Sequence, residues 1–110
     1  MSQRNGTTKN EFKKVFAEMK IPNGKMLECE ISFKKEPSSQ LILSEIRFSG
    51  DFFLHPEERI EEIEEKLSKV DPERLVEETL LLFQSKELEL VGASPEDFAS
   101  VVEKCVKKMS

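Results

Sequence analysis

The side chains able to carry covalent or metal chemistry are few in this sequence and do not form a recognisable site. Cys29 and Cys105 are the only cysteines, and His55 is the only histidine. Their spacing matches no familiar zinc motif and no cysteine–histidine arrangement for nucleophilic catalysis. Two buried thiols in a reducing compartment are the favoured interpretation, and a redox or sulfur-carrier role is the alternative. We therefore predict no catalytic residue and no metal site.

Carboxylates are abundant, but their pattern does not indicate acid–base catalysis. Six glutamates fall between Glu57 and Glu65, which is typical of the solvated face of a helix. Glu62 and Lys66, and likewise Glu65 and Lys69, are spaced for helical ion pairs in the favoured order. We assign this run no chemistry.

A lysine at a predicted hairpin is the first candidate contact for a ligand. The segment Pro22–Lys25 is a turn signal, because Asn23 and Gly24 both tolerate the positive φ that a tight hairpin needs. The exposed ammonium group of Lys25 either is simply solvated or meets a phosphate or carboxylate.

The second candidate is a junction between the predicted strands and the predicted helices. It consists of Gly50, Asp51, Phe52, Phe53, His55 and Pro56. Asp51 is expected to accept hydrogen bonds from nearby backbone amides at the bend that ends the strand. Because adjacent side chains leaving a strand point to opposite sides, we expect one phenyl ring to be buried and the other to lie near a partner.

Composition limits the possible partners and location of this domain. The chain has 110 residues, 37% of them hydrophobic and 35% charged, with a net charge of −5. It contains no tryptophan, no tyrosine and no basic cluster with interleaved aromatics, so we predict that it does not bind nucleic acid. No apolar run has membrane-spanning length, and the first residues lack a signal peptide. We therefore predict a cytoplasmic protein that does not bind membranes.

The first half of the chain is expected to form three antiparallel strands. Residues 1–11 have no pattern and predict a mobile tail, followed by one domain over residues 12–110. Residues 12–20 favour a strand, with a short helix as the alternative. Strict alternation follows in the second strand, and a third strand ends before the junction. The side chains predicted to face the core are Leu27, Cys29, Ile31 and Phe33 in the second strand and Ile42, Ile46 and Phe48 in the third.

Three helices are expected to cover one face of this meander. The first is predicted to open at Pro56, and the second to restart at Asp71-Pro72, to fade near Lys86 and to lie centrally. Residues 88–92 are predicted to be an apolar link. A capping box at Ser94 then opens the third helix. Its predicted core stripe is Phe98, Val101, Val102, Cys105, Val106 and Met109. The predicted fold class is α+β, a three-stranded antiparallel meander followed by three helices packed on one face.

Three blocks of this sequence resemble the C-terminal accessory domain of lipoate–protein ligases, over roughly residues 13–108. Residues 20–27 are similar to its opening hairpin, Lys-Val-Pro-Gly-Gly-Lys followed by a strand. Residues 46–53 are similar to its Gly-Asp-Phe-Phe block. Residues 91–98 are similar to its closing Gly-x-Ser-Pro-Glu-Asp turn. The order and spacing of the blocks carry the resemblance, since each block alone is short.

The resemblance implies an accessory role, because the large catalytic domain of a one-chain ligase has no counterpart here. It implies the non-catalytic small subunit of a bipartite lipoate–protein ligase, working as a heterodimer with a large catalytic subunit. The pair would activate lipoate with ATP as lipoyl-adenylate and transfer the lipoyl group to a lysine of a lipoyl-acceptor domain. Lipoate, ATP and magnesium are expected in the large subunit, with no cofactor bound by this chain alone.

The resemblance also implies roles for the two candidate segments. Gly24 and Lys25 would lie near the adenylate, and the junction residues would brace the fold or face the large subunit. Asn23 stands where the family motif has its first glycine, a change that the turn tolerates because asparagine also adopts positive φ. The alternatives are a small iron–sulfur-assembly scaffold, which needs an exposed reactive cysteine, and a generic protein-interaction domain.

Overall fold

Alternating apolar residues in the first half of the chain form a three-stranded antiparallel sheet. The computed structural model describes residues 12–38 and 40–109, and the predicted tail over residues 1–11 lies outside them. Strand β1 spans Lys13–Ile21, β2 spans Lys25–Lys35 and β3 spans Leu41–Gly50, in the order β1-β2-β3. The predicted meander is confirmed, and the helical alternative for residues 12–20 is wrong.

The register of β3 changes part-way along the strand. All four predicted core residues of β2 are buried, and so are Ile46 and Phe48 of β3. Ile42, however, is exposed and Leu43 is buried in its place. A β-bulge leaves Ser44 without a partner, so that residues before it face the opposite side from the one that alternation predicts.

The second half supplies the three predicted helices. Helix α1 spans Arg59–Leu67, α2 spans Leu75–Phe83 and α3 spans Pro95–Lys107. Helix α1 begins at Arg59, not at Pro56, because Pro56 precedes it in a turn and its carbonyl accepts a hydrogen bond from the Arg59 amide (3.0 Å). A 3₁₀ turn over Pro72–Arg74 leads into α2, which ends at Phe83, short of Lys86.

Helix α3 occupies the middle of the structure, so the prediction of a central α2 is wrong. Helices α1 and α3 pack on the sheet, whereas α2 packs on α3 and α1. The predicted capping box opens α3, with reciprocal hydrogen bonds between Ser94 and Asp97. The longer α3 reaches both β1 and β2, which explains why its apolar stripe is better buried than that of α2.

A second, two-stranded sheet replaces the predicted apolar link. Strand β4 spans Phe53–His55 and pairs antiparallel with β5, Glu89–Val91. Leu54 is buried opposite Leu90 in this ribbon. The junction therefore continues as a strand before α1 begins.

Phe98 of α3 is the centre of an aromatic cluster that joins the layers. Its ring stacks on Phe83 of α2 with centroids 3.9 Å apart. Phe48 of β3 and Phe52 of the junction meet Phe98 edge-on at 5.3 and 5.0 Å. Edge-on and stacked pairs of this kind add to the free energy of area burial. The fold class is α+β, as predicted.

Both cysteines lie in the core between β2 and α3. The Cys105 thiol donates a hydrogen bond to the Cys29 carbonyl oxygen over 3.1 Å, and both side chains are buried. The hydrogen bond to the Cys105 thiol and the loss of solvent raise the pKa of Cys29 above its ordinary value. The prediction of buried thiols is confirmed, and the exposed reactive cysteine of an iron–sulfur scaffold is absent from the described part of the chain, which contains both cysteines.

One glutamate of the acidic run has a structural role that the sequence analysis missed. β3 is an edge strand, and the Glu64 carboxylate of α1 accepts a hydrogen bond from the Phe48 backbone amide at 2.8 Å. Burial raises the pKa of Glu64, and the hydrogen bond from Phe48 opposes that shift. The remaining glutamates are largely solvated, as predicted; Glu65 pairs with Lys69 at 3.9 Å. Glu62 instead pairs with Arg59 at 3.6 Å.

Replacing Glu64 by glutamine tests the linkage between this carboxylate and stability. Because its folded pKa lies above the ordinary 4.5, the folded protein binds this proton more tightly than the unfolded chain. The free energy of unfolding of the wild type relative to Glu64→Gln should therefore fall as pH rises through that raised pKa. Urea denaturation from about pH 4 to about pH 7 measures this difference. Glu65→Gln is the exposed control, and a pH-independent difference for Glu64→Gln would contradict the linkage.

Candidate functional site

A reciprocal pair of hydrogen bonds joins the two predicted site segments. The Met26 amide donates to the Asp51 carboxylate at 3.0 Å, and the Asp51 amide donates to the Met26 carbonyl at 2.9 Å. Met26 follows the hairpin at the start of β2, and Asp51 follows the end of β3. This clamp holds the hairpin against the junction, and Asp51 satisfies a backbone amide as the sequence predicted.

Two glycines allow three backbone segments to meet at the clamp. Gly50 has a φ of +134°, and a Cβ atom added there would lie 2.4 Å from the Met26 carbonyl oxygen. Gly92 has a φ of +95°, and its Cβ atom would lie 2.8 Å from the Asp51 carbonyl oxygen. Only glycine fits such contacts with positive φ. The hairpin, the junction and the segment before α3 therefore converge on Asp51.

The hairpin presents Lys25 to solvent beside this clamp. Asn23 adopts a φ of +72° in a 3₁₀ turn over Pro22–Gly24, consistent with the predicted tolerance of positive φ. Lys25 is exposed at the first position of β2, opposite Ile21. Within residues 12–38 and 40–109 it forms no ion pair. Its exposed ammonium group can meet an anion from another molecule.

The two adjacent phenylalanines differ in exposure: Phe52, on the side expected to be buried, is half-buried, and Phe53 is exposed. Phe52 packs edge-on against Phe98 inside the aromatic cluster. Phe53 is 75% exposed and pairs across the ribbon with Val91, which is 51% exposed. Two large apolar side chains thus share one solvated face. Contact with a partner there remains a prediction.

An open groove of about 400 Å³ lies next to this exposed pair. It is lined by Phe48, Phe52, Phe53, Leu54 and Ile60, together with His55 and Glu57. His55 is exposed and pairs in the ribbon with Glu89, while Pro56 is half-buried in the turn before α1. The groove is mostly apolar and can receive hydrophobic side chains from another molecule.

Sequence analysis missed three members of this site. Met26 acts through its backbone, and no side-chain pattern reports such a contact. Gly92 falls in the predicted apolar link over residues 88–92, but the close approach of the Asp51 carbonyl oxygen is what demands a glycine there. Val91 falls in the same predicted link, whereas the alternation of Leu88 and Leu90 with charged neighbours is a usable signal for a short strand.

The described residues carry no group for covalent chemistry at this site. They contain no cluster of three histidine, cysteine or carboxylate side chains suited to a metal ion. No helix within residues 12–38 and 40–109 is long and apolar enough to cross a membrane. The arrangement offers one exposed cation and an apolar face, which are means of binding and positioning.

One solved structure has the same arrangement of elements. It is a chain from an archaeal lipoylation system of Thermoplasma acidophilum, a bipartite lipoate protein ligase and its E2 lipoyl domain. The match covers 84% of this chain and 97% of that chain, with a TM-score of 0.67 and 20% sequence identity. The two chains share a fold. No protein-family model and no curated protein matches this sequence.

Replacing Gly50 by alanine should disrupt the clamp. A Cβ atom only 2.4 Å from a carbonyl oxygen forces the backbones apart, in addition to the strain of positive φ. We expect the free energy of unfolding to fall by about 2 kcal/mol or more. The substitution Ser100→Ala, at an exposed position of α3, should change it by less than about 0.5 kcal/mol. Urea denaturation compares the two variants, and equal stabilities would show that the contact at Gly50 is not a constraint.

Proposed function

We propose that this chain is the non-catalytic small subunit of a bipartite lipoate–protein ligase. The observation that carries the proposal is the fold shared with a chain of the Thermoplasma acidophilum lipoylation system over 97% of that chain. A second observation supports it. The three sequence blocks that resemble the ligase accessory domain lie far apart in sequence but meet at Asp51 in space, through Met26, Gly50 and Gly92.

The small subunit would act by positioning and by excluding water. In the proposed reaction the large subunit holds lipoate, ATP and magnesium, and the carboxylate of lipoate attacks the α-phosphorus of ATP to form lipoyl-adenylate and release pyrophosphate. Both reactants are anionic, and the adenylate is sensitive to water, so a closing module lowers the barrier without donating a reacting group. The amine of a lysine on the acceptor domain then attacks the acyl carbon of lipoyl-adenylate, forming an amide and displacing AMP.

Lys25 is the residue that we assign to the adenylate or its phosphates. Its ammonium group is solvent-exposed, and the clamp between Met26 and Asp51 fixes the backbone beside it. A positioned lysine stabilises phosphate charge through charge-assisted hydrogen bonds. Gly24 would let the turn approach the partner closely.

The exposed face of the β4–β5 ribbon is the surface that we assign to the large subunit. Phe53 and Val91 are more than half exposed and stand next to the apolar groove. Burial of one such phenyl ring in an interface contributes about 2 kcal/mol. His55 and Pro56 lie at the end of the same strand and would border the contact.

Reconstitution with the large subunit tests the proposed association. Lipoate- and ATP-dependent adenylate formation should require both chains, so neither chain alone should make lipoyl-adenylate. Phe53→Ala should weaken binding to the large subunit about tenfold or more by titration calorimetry, because it removes the exposed ring. Phe12→Ala is the matched control, since Phe12 is 55% exposed at the other end of the sheet. Adenylate formation that is equally fast without this chain would refute the proposal.

Replacement of Lys25 tests the role assigned to its charge. Lys25→Ala should lower kcat/KM for adenylate formation about 10- to 100-fold, because a charge-assisted hydrogen bond to the adenylate would be lost. Lys35→Ala is the control, since Lys35 is also exposed and lies at the opposite end of the same strand. Binding to the large subunit should be unchanged in both variants. Equal rates of adenylate formation for Lys25→Ala and Lys35→Ala would show that Lys25 has no role in the active centre.

A further inference from the structure

β1 forms one edge of the three-stranded sheet. β1 is the first strand in the order β1-β2-β3, and within the described residues no strand pairs with its outer side. The Lys108 ammonium group donates a hydrogen bond to the Phe16 carbonyl oxygen, so this carbonyl points away from β2. Because backbone direction alternates along an antiparallel strand, the amides and carbonyls of Lys14 and Glu18 also face outward. The edge is a template for another strand.

A groove of about 620 Å³ lies between this edge and the last turns of α3. It is lined by Phe16, Ala17 and Glu18 from β1 and by Lys104, Lys107 and Lys108 from α3 and its C-terminal end. The Phe16 side chain is 47% exposed. An added strand lies about 4.8 Å from its neighbour, so an extended chain in this groove would contact both the edge and the lysines.

The charge of this groove is opposite to that of the whole protein. Its lining has three lysines and one glutamate, whereas the chain carries a net charge of −5. Among the described residues, none of these lysines forms an ion pair with a carboxylate. Lysines near a helix C-terminus complement its dipole, but that role needs neither an exposed phenyl ring nor a free strand edge. A local basic groove on an acidic protein selects an acidic ligand.

We propose that the β1 edge binds an extended acidic segment of a protein partner as a fourth strand of the sheet. The backbone of the segment would pair with the outward groups of β1, and Lys108 would yield the Phe16 carbonyl to an incoming amide. Carboxylates of the segment would pair with the three lysines, and an apolar side chain would cover Phe16. Backbone pairing supplies affinity and the lysines supply selectivity in this mode of recognition. The inference goes beyond the ligase proposal, because β1 and β3 are opposite edges of the sheet and Lys25 and Phe53 have no part in it.

The first experiment measures binding of a labelled probe to the full chain. The probe is a fluorescein-labelled peptide of alternating glutamate and valine. The control peptide has the same sequence and label, with its central backbone amides N-methylated. Fluorescence anisotropy should show at least about tenfold weaker binding of the N-methylated peptide, because its amides cannot donate to β1. Equal binding of the two peptides, or no binding of either, would overturn the proposal. A single-stranded oligonucleotide that binds as tightly as the probe would overturn the assignment of the partner.

Charge variants and hydrogen exchange localise the site. The triple variant K104A/K107A/K108A should bind the probe about tenfold more weakly, since three exposed ion pairs would be lost. The triple variant K66A/K69A/K86A removes the same charge from exposed positions elsewhere and should bind normally. The probe should also slow exchange of the Phe16 amide. Equal losses in both triple variants, or unchanged exchange at Phe16, would refute strand addition. If the protein dimerises through this edge in the absence of peptide, the edge binds a second copy of the chain, and the proposal is refuted as well.

Discussion

The contact of Gly50 with the Met26 carbonyl leaves no room for a side chain, and the arrangement of the whole site depends on it. Because the backbones touch there, Asp51 reaches the Met26 amide, and the Asp51 carbonyl comes within reach of Gly92. Three segments that are distant in sequence are thereby held at one point by backbone groups. Backbone contacts of this kind define positions more rigidly than contacts between long side chains, which retain rotamer freedom. The clamp is thus a structural support for groups that themselves face solvent.

Packing of aromatic rings orients the segment that follows Asp51 of the clamp. Phe52 enters the cluster around Phe98, and its neighbour must then point outward, since successive side chains of an extended segment alternate. The exposure of Phe53 therefore accompanies the partial burial of Phe52 against Phe98. Pairing of β4 with β5 places Val91 next to Phe53 and turns one exposed ring into an apolar face. The segment that contains Phe52 and Phe53 therefore contributes both to the core and to the proposed interface.

The chemistry of the described residues favours recognition over catalysis. Both thiols are buried, with the Cys105 thiol donating to the Cys29 backbone carbonyl, and the carboxylates that are not solvated serve structure, as Glu64 does at the edge of β3. The exposed surfaces of interest are Lys25 beside the clamp, the apolar face of the β4–β5 ribbon and the basic groove along β1. The first two surfaces adjoin the clamp, whereas the basic groove lies at the outer edge of β1.

Local patterns in the sequence were sufficient for the fold class and for most of the core. The alternation in β2, the apolar stripe of α3 and the capping box at Ser94 each depend on neighbours within a few residues, so the sequence alone determined them. It also indicated both halves of the site, Lys25 and the junction at Gly50. Tertiary structure decided the β-bulge at Ser44, which buries Leu43 and exposes Ile42. It also decided the central position of α3. It also decided the pairing of β4 with β5 and the convergence on Asp51. These features arise from contacts between distant segments, for which periodicity along the chain carries no information, because only packing in three dimensions determines which backbones meet.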